Sequence, residues 1–394
     1  MIAVNKNKCT ACGACVQRCP KKCISLETNE DGFLMPEIDI NICISCNICV
    51  KVCPIETKPE MNSVQPKSYA VVSKDKQSLI VATSGGAFGV IAEYVFSCGG
   101  VVYGVAYSEN LKVQHIRIET SDKLYRLNGS KYVQSDTKST FVDAENDLKN
   151  GKTVFYSGTP CQIAGLKNYL GKKYENLITA DIICHGVPSQ SYFDKFVLFL
   201  SNDGEKQIND IAFRSKKNSG QSVAGTYSGT YSGTGKPFNN KFNYYDNYYY
   251  FYFLKSGIYR KCCYSCDYAN LNRMGDFTLG DFWGAEGENF DFDISDGCSL
   301  VLTNTAKAEK LLSMLDINYK EISLNNAVKY NEQLRSPSSE PIMRDELLRQ
   351  YREEDAETIQ RTFKKRNKKA ILIGKMKYLV PKKLKKLLLK KRYS

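Results

Sequence analysis

Residues 9–20 of the chain read CTACGACVQRCP, and residues 43–54 read CISCNICVKVCP. Both stretches have the cysteine spacing C-x2-C-x2-C-x3-C followed by proline, so one pattern occurs twice within the first 54 residues. Three thiolates on one tight loop can bind three metal atoms of the same compact group, whereas the fourth cysteine lies too far along the chain to join them. The small residues Ala11, Gly13, Ala14 and Ser45 leave backbone amides free to approach the sulfurs.

This spacing is the one with which bacterial ferredoxins hold two 4Fe-4S clusters, and there the fourth cysteine of each run binds the cluster of the other run. The sequence therefore predicts an α+β ferredoxin-like two-cluster domain over residues 1–60. The predicted ligands are Cys9, Cys12, Cys15 and Cys53 for the first cluster and Cys43, Cys46, Cys49 and Cys19 for the second. Cys23 fits neither run and is left as an additional thiol.

Two other uses of these cysteines agree less well with the pattern. Structural zinc sites favour two C-x2-C pairs separated by a longer stretch. Disulfide frameworks need an oxidising compartment, whereas the chain starts MIAVNKNKCT, without the apolar segment of a signal peptide. No apolar run reaches 18 residues, so no membrane-spanning helix is expected. We expect a cytoplasmic protein whose 16 cysteines serve mainly in metal binding.

The positive charge of the chain is concentrated at its C-terminal end. The net charge is +13, yet residues 364–394 contain 14 Lys and Arg and no acidic residue, which leaves 41 basic and 42 acidic residues elsewhere. Apolar residues recur between these lysines, and Pro381 suits the first position of a second helix. We expect residues 341–394 to form a basic amphipathic helical tail on an anionic membrane surface, at the inner face of the membrane. Nucleic acid and a merely solvated end are the alternatives.

Between these two ends, strand patterns alternate with helix patterns. Buried-strand patterns occur at 70–72, 101–107, 154–156 and 177–183, and helical patterns at 88–96 and 161–170. After a linker at 55–66, we expect an α/β domain with a largely parallel sheet over residues 67–340, in two parts, 67–150 and 151–340. The Ser/Gly-rich residues 215–240 are expected to be a flexible loop or an exposed hairpin. The aromatic run at 244–253 is expected to pack on the domain rather than stack on nucleic acid.

The turn Thr83-Ser84-Gly85-Gly86 is a candidate anion site. It is predicted to open a helix directly after a strand, with hydroxyl groups capping the first amides of the helix. The glycines would let the backbone approach an anion such as a dinucleotide pyrophosphate. An ordinary turn that binds nothing is the alternative.

Four cysteines outside the two runs form a second candidate site. Cys161 is expected in the first turn of a helix that is capped by Thr159, and Cys184 at the end of a strand. Cys263 and Cys266 form a C-x2-C pair in a polar turn. These four residues either hold a third cluster or are buried, inert thiols.

The ordered set of motifs resembles the beta-subunit family of coenzyme F-420-reducing hydrogenases and dehydrogenases over roughly residues 1–310. The motifs are, in chain order, Ser84-Gly85-Gly86, GSKYVQS at 129–135, SGTPCQ at 157–162, CHGVPS at 184–189, Cys263-x2-Cys266 and GDFW at 280–283. The resemblance implies a flavoprotein that binds FAD and iron–sulfur clusters. It also implies that electrons move between a deazaflavin and the cluster chain.

Carried over residue by residue, the resemblance assigns FAD to Ser84, Gly85, Gly86, Ser130, Lys131, Tyr132 and Ser135. It assigns a third 4Fe-4S cluster to Cys161, Cys184, Cys263 and Cys266, and the neighbouring Cys262 leaves the choice between Cys262 and Cys263 open. Lys131 is the one candidate catalytic residue, since an ammonium group near the flavin would stabilise its reduced anion.

The chain departs from the hydrogenase subunits in the stretch at 215–240 and in its basic tail. These departures favour a bacterial stand-alone member, of the kind found near surface-polysaccharide genes. The predicted function is that of an iron–sulfur flavoprotein oxidoreductase that passes electrons between a hydride donor or acceptor at FAD and its 4Fe-4S clusters. The expected partner is a redox protein or a deazaflavin-like cofactor. The alternatives are an electron-carrying adaptor for a partner enzyme and a reductase of a small molecule or polysaccharide precursor.

Overall fold

The computed structural model describes residues 5–62, 65–214, 216 and 224–379. The N-terminal module, residues 5–62, contains two short helices and one antiparallel strand pair. These elements are α1 (Ala14–Arg18), α2 (Ile48–Val52), β1 (Ile24–Thr28) and β2 (Leu34–Ile38). The module has the predicted α+β ferredoxin-like fold.

The two cysteine runs have the same backbone conformation. Ala11 and Gly13 have φ angles of 48° and 81° before α1, and Ser45 and Asn47 have φ angles of 54° and 57° before α2. Residues with left-handed φ are uncommon outside glycine, so their recurrence at matching positions reflects one local structure used twice. Each helix then ends at the last cysteine of its run.

In the larger body, the described residues form eleven strands in two sheets. They are β3 (Lys67–Ser73), β4 (Val101–Tyr107), β5 (Val113–Ile118), β6 (Val154–Gly158), β7 (Leu177–Ile182), β8 (Lys206–Ala212), β9 (Ala224–Tyr231), β10 (Pro237–Asn243), β11 (Phe277–Asp281), β12 (Ser299–Thr303) and β13 (Ile317–Ile322). The main sheet has eight strands in the order β13-β3-β12-β11-β7-β6-β4-β5, and β8, β9 and β10 form a smaller antiparallel sheet.

The α/β class is confirmed, but the main sheet is mixed, so the expectation of a largely parallel sheet is wrong. Only the four central strands β11, β7, β6 and β4 pair in parallel, and all the other pairs are antiparallel. The chain between β4 and β5 is a short hairpin, and such a connection joins antiparallel strands only. Between β11 and β12 the chain forms one short 3-10 helix (Ala285–Gly287) and no crossover α-helix.

Helices cover both faces of the main sheet. They are α3 (Lys76–Val81), α4 (Ala87–Ser97), α5 (Thr140–Lys149), α6 (Pro160–Leu170), α9 (Ala306–Met314) and α10 (Leu324–Lys329). Helices α7 (Gln190–Ser201) and α8 (Tyr248–Leu254) lie instead in the core of the smaller sheet. Successive strand residues point to opposite faces: Val102 packs in the core that contains α4 and α9, and Tyr103 in the core that contains α5 and α6. This arrangement places α6, which begins directly after β6, against the N-terminal module.

The smaller sheet and the aromatic run build a second core. The expected hairpin is present as β9 and β10, although residues 217–223 lie outside the described part of the chain. Tyr248, Tyr249 and Tyr250 of α8 are fully buried against α7 and this sheet. The prediction that the aromatic run packs on the domain is therefore confirmed.

Three helices end the described chain: α11 (Arg344–Glu353), α12 (Ala356–Arg366) and α13 (Lys368–Leu379). Ile359 and Phe363 of α12 are buried in the aromatic core, so this part of the predicted tail belongs to the body. On α13, Leu372, Ile373 and Met376 are exposed. The second predicted helix, from Pro381, lies outside the described residues. Among the described helices, none has the length and apolar character needed to cross a membrane.

Candidate functional site

Two cavities in the N-terminal module collect the cysteines of the two runs. The lining of the first cavity includes Cys9, Cys12, Cys15 and Cys53. The lining of the second includes Cys19, Cys43, Cys46 and Cys49, together with Cys23. Each cavity thus draws three cysteines from one run and the fourth from the other.

The cysteine loops fit an iron–sulfur cubane. Ala11 donates its backbone N–H to the Cys9 sulfur at 3.4 Å, as small residues in left-handed turns allow. In the described part of the chain no three His, Cys, Asp or Glu side chains converge on a single ion position, whereas in a cubane each thiolate reaches a different iron atom. All sixteen cysteines are free thiols.

The two cavities differ in exposure. Three cysteines of the first cavity are buried, and burial raises the pKa of Cys12 well above its usual range and that of Cys15 to about 12. These groups are therefore neutral thiols without metal, and binding of metal would displace their protons. Around the second cavity Cys46 is exposed, and so are the neighbouring Ile42 and Ile44. The second cavity therefore has the more exposed cysteines.

The first cavity lies against helix α6 of the body. A Cβ atom at Gly165 would lie 2.7 Å from the Cys12 sulfur, so only glycine permits this approach. The Thr137 hydroxyl donates a hydrogen bond to the Cys12 carbonyl at 3.0 Å. The Gln17 side chain donates to the Thr137 hydroxyl and accepts from the Phe141 N–H. The module is thus held to the body by contacts of its own cysteine loop.

The structure brings Cys161, Cys184 and Cys266 together at the carboxyl ends of the parallel strands. Helix α6 begins as predicted, because the N–H of Thr159 donates to the Gln162 side chain at 3.0 Å. Burial raises the pKa of Cys161 to about 11. Burial is also the main reason why the pKa of Cys184 is raised and that of Cys266 is raised to about 12. The proximity of Cys161 is the second cause for both thiols. Side chains at this edge of a sheet commonly form ligand sites.

Of the two adjacent cysteines, Cys262 belongs to this group. Cys262 raises the pKa of both Cys161 and Cys266 after the larger effect of their burial. Cys263 contacts Cys262 and lies half-buried at the edge of the aromatic core, near Tyr259 and Tyr264. Both cysteines lie in the short 3-10 helix Lys261–Ser265, of which Cys262 is the buried residue.

Two buried arginines beside these cysteines were missed from the sequence. Arg260 donates to the carbonyls of Cys9 and Leu34 in the module, at 2.6 and 2.7 Å, and to Gln134 in the body at 3.1 Å. Among the described residues no carboxylate forms an ion pair with Arg260. Arg273 instead pairs with the buried Asp181 at 2.7 Å. Both arginines lie close to the Cys263-x2-Cys266 pair in the sequence, and this proximity is the signal that could have pointed to them.

The predicted anion turn differs from expectation on both sides of Ser84-Gly85-Gly86. The residues before it form helix α3, because Asp75 caps the amides of Gln77 and Ser78, so no strand precedes the turn directly. The helix that follows, α4, is present, but Gly86 is its N-cap and no side chain caps it. The prediction that hydroxyl groups cap this helix is therefore wrong.

Gly85 and Gly86 are both required by the backbone. A Cβ atom at Gly85 would lie 2.1 Å from the Val71 carbonyl and 2.5 Å from the Ser299 amide, so Gly85 lets the turn pack onto β3 and β12. Gly86 has a φ angle of 85°, which favours glycine. The turn consequently lies at the same sheet edge as the C-terminal end of β11.

A chain of contacts joins the turn to Tyr132. Lys216 donates to the Ser84 carbonyl at 2.5 Å, and burial lowers the pKa of Lys216 to about 8. Arg214 forms an ion pair with Asp281 at the end of β11. Arg214 also lowers the pKa of Tyr132, although burial outweighs it and the net shift is upward. Sequence reasoning missed Lys216 and Arg214 because they lie in or beside the Ser/Gly-rich stretch.

The remaining residues predicted to bind FAD, at 130–135, differ from one another in burial and in their hydrogen-bond partners. Ser135 is buried, and its hydroxyl lies 3.2 Å from Nδ1 of His115 and accepts from Gln162 at 3.0 Å. Lys131 donates to the carbonyls of Arg126 and Asn128 at 3.2 and 2.7 Å, and burial lowers the pKa of Lys131 to about 7. Ser135 is thus part of the buried support of α6, whereas Ser130, Lys131 and Tyr132 are half-buried.

Comparison with protein families identifies two regions. Residues 8–57 match the 4Fe-4S dicluster domain. Residues 151–327 match the family described as the C terminus of the coenzyme F420 hydrogenase/dehydrogenase beta subunit. This second match covers a little under half of the chain. This family region contains Cys161, Cys184, Cys263 and Cys266, whereas the turn at 83–86 and the loop at 129–135 precede it.

Comparison with solved structures finds a chain of a hydrogenase complex. The xenon-derivatised F420-reducing NiFe hydrogenase complex from Methanosarcina barkeri contains a chain that is 16% identical, with a TM-score of 0.40. The match covers 75% of this chain and 90% of that one. No curated protein matches the sequence. The two family matches together support an iron–sulfur electron-transfer role.

Proposed function

We propose that the protein is an iron–sulfur flavoprotein oxidoreductase that passes electrons between a hydride donor or acceptor at FAD and its 4Fe-4S clusters. The observation that carries this proposal is that the cysteine groups adjoin one another through the N-terminal module and helix α6. Cys12 of the first cavity touches α6 at Gly165, and Cys161 lies in the first turn of the same helix. One helical turn, a rise of about 6 Å, separates these two positions on α6.

Tyr268 is a second contact between the first cavity and the cysteine group of the body. Its hydroxyl donates to the carbonyl of Pro54, directly after Cys53, at 3.0 Å. Burial, followed by the proximity of Cys161 and Cys12, raises the pKa of Tyr268. An aromatic side chain thus fills the space between the two groups of thiols.

The third cluster is proposed on Cys161, Cys184 and Cys266, with Cys262 as the fourth ligand in preference to Cys263. Support comes from the mutual effects of these thiols on their pKa values and from the burial of Cys262. Arg260 and Arg273 adjoin the group, and a buried cation favours the negative charge of a cluster with thiolate ligands. A third cluster here would continue the path from the first cavity into the body.

FAD is proposed at the sheet edge formed by Ser84, Gly85 and Gly86, with Ser130, Lys131 and Tyr132 completing the site. Helix α4 starts there with amides that no side chain caps, and the cations Lys216 and Arg214 lie beside the turn. Both features favour a pyrophosphate. Flavin supplies the chemistry that couples transfer of a hydride to transfer of single electrons. Cys184 follows β7, and Gly85 contacts β12, which lies two strands from β7 in the main sheet. The proposed third cluster and the proposed FAD turn are therefore about 10 Å apart.

The proposed partner is a redox protein that docks at the second cavity. Cys46, Ile40, Ile42 and Ile44 are exposed there. Redox partners typically meet through small, transient interfaces, for which an exposed patch of this kind is sufficient. The same exposure supports the alternative of an electron-carrying adaptor, which would bind flavin but reduce no substrate of its own. A link to polysaccharide biosynthesis remains a prediction from the resemblance.

The test is anaerobic purification followed by rapid-mixing spectroscopy with a chemical hydride donor. Wild-type protein should be brown and contain iron, acid-labile sulfide and FAD, and its clusters should bleach after the flavin. The variant Cys161→Ala should keep FAD, reduce it at the wild-type rate and leave the N-terminal clusters oxidised. Cys98→Ala, at an exposed cysteine after α4, is the matched control and should behave as wild type. Bound zinc without sulfide, or wild-type cluster reduction in Cys161→Ala, would overturn the proposed path.

A further inference from the structure

The second cavity of the N-terminal module contains a fifth cysteine. Cys23 lines it together with Cys19, Cys43, Cys46 and Cys49. Its sulfur lies 3.5 Å from the sulfur of Cys19, and its side chain is only 6% exposed. The lining of the first cavity includes its four expected cysteines and no fifth one. The two otherwise matching halves of the module thus differ in the number of sulfurs they offer.

The backbone holds Cys23 in this position. Pro20, Lys21 and Lys22 form a turn in which the Lys22 N–H donates to the Cys19 carbonyl at 3.1 Å, and Lys22 has a left-handed φ of 51°. The Cys23 carbonyl accepts the N–H of Asp39 at 2.9 Å, which anchors Cys23 at the start of β1 beside the end of β2. Cys23 therefore faces the cavity through regular secondary structure rather than through a loose loop.

We propose that Cys23 is an alternative ligand of the second cluster and can take over the iron atom held by Cys19. The exchange requires no electron: the Cys23 thiol loses its proton as its sulfur binds iron, and the Cys19 thiolate dissociates and takes up a proton. A sulfur 3.5 Å away reaches the same iron by a change of side-chain rotamer. The exchange takes place at the cavity with the more exposed cysteines, and Cys19 itself is half-buried. This ligand exchange rests on the cluster assignment that is part of the proposed function.

The test compares the iron content and the electron paramagnetic resonance spectrum of reduced, anaerobically purified full-length variants. Cys19→Ala should keep the iron content of wild type with a shifted second-cluster signal, since Cys23 replaces the missing ligand. The double variant Cys19→Ala/Cys23→Ala should lose about four iron atoms per chain. The matched double variant Cys19→Ala/Cys98→Ala should behave as Cys19→Ala. Equal iron loss in Cys19→Ala and in Cys19→Ala/Cys23→Ala would overturn the proposal.

A second measurement leaves Cys19 in place, so it does not depend on the folding of the Cys19 variants. Under an iron chelator, Cys23→Ala should release the second cluster several-fold faster than wild type, and Cys98→Ala should match wild type. Equal release rates in Cys23→Ala and wild type would contradict an alternative ligand. A wild-type protein without iron would instead overturn the proposed function itself, so the two failures are distinguishable.

Discussion

His115 is a buried histidine whose protonation is coupled to the stability of the fold. Its Nε2 lies 3.0 Å from the Ser157 carbonyl and its Nδ1 3.2 Å from the Ser135 hydroxyl, next to the start of α6. Its ring stacks on Tyr156, and Asp136 is the acidic side chain nearby. Burial lowers the pKa of His115 to about 4, so the imidazole is neutral in the folded protein at neutral pH.

We expect His115 to make the protein sensitive to mild acid. Below about pH 6.5 the unfolded chain binds a proton at His115 that the folded chain does not bind until about pH 4. Stability is therefore lost as the pH falls from about 6.5 to 4, by about 3 kcal/mol at most. Urea unfolding of His115→Gln should show a shallower loss over this range than wild type. Parallel pH profiles of the two proteins would contradict a neutral buried His115.

At the scale of elements, helix α6 and the cysteine loops were predictable because their signals are local. Thr159, Pro160 and Gln162 specify the start of α6 within four residues, and the cysteine spacing fixes each loop. The segment before Ser84 was not predictable in the same way, since its apolar residues also suit a short strand. Asp75 decides in favour of helix α3 by capping two amides.

Gly86 and Gly89 offer a paired test of the turn that opens α4. Gly86→Ala places a Cβ at a φ of 85° and 3.0 Å from the Ser73 Cβ, so we expect a loss of about 1–2 kcal/mol and release of FAD. Gly89 lies within α4 with nothing within 4 Å of its Cβ position, so Gly89→Ala should keep FAD and gain about 0.5–1 kcal/mol. Flavin fluorescence after filtration and thermal unfolding measure both effects. Retention of FAD by Gly86→Ala would argue against the turn as its site.

The 3-10 helix Lys261–Ser265 contains both candidate fourth ligands, Cys262 and Cys263. We expect Cys262→Ala to lose about four iron atoms per chain, and Cys263→Ala to keep them, because Cys262 is the one that interacts with Cys161 and Cys266. Iron and sulfide analysis of both variants provides the measurement. The reverse pattern would restore the ligand set that the family resemblance implied.

At the scale of the whole molecule, the features that sequence did not predict are contacts between distant segments. Arg260 reaches the carbonyl of Cys9 across 251 positions, and Lys216 reaches that of Ser84 across 132. Insertion of β12 beside β11 makes the sheet mixed and brings Ser299 to Gly85. No periodicity encodes such pairings, because they depend on how the completed sheet is ordered.

The basic end of the chain is the last feature with a testable role. Of the 14 Lys and Arg in residues 364–394, seven follow Leu379, whereas α12 packs Phe363 into the body. Each basic residue near an anionic bilayer contributes about 1 kcal/mol, so truncation after Leu379 should greatly weaken sedimentation with anionic vesicles and leave the cluster content unchanged. Binding of the full chain should also fall as salt rises, since exposed charges are screened over about 8 Å at physiological ionic strength. Neutral vesicles are the control, and equal sedimentation of the full and truncated chains would show that these residues do not anchor the protein.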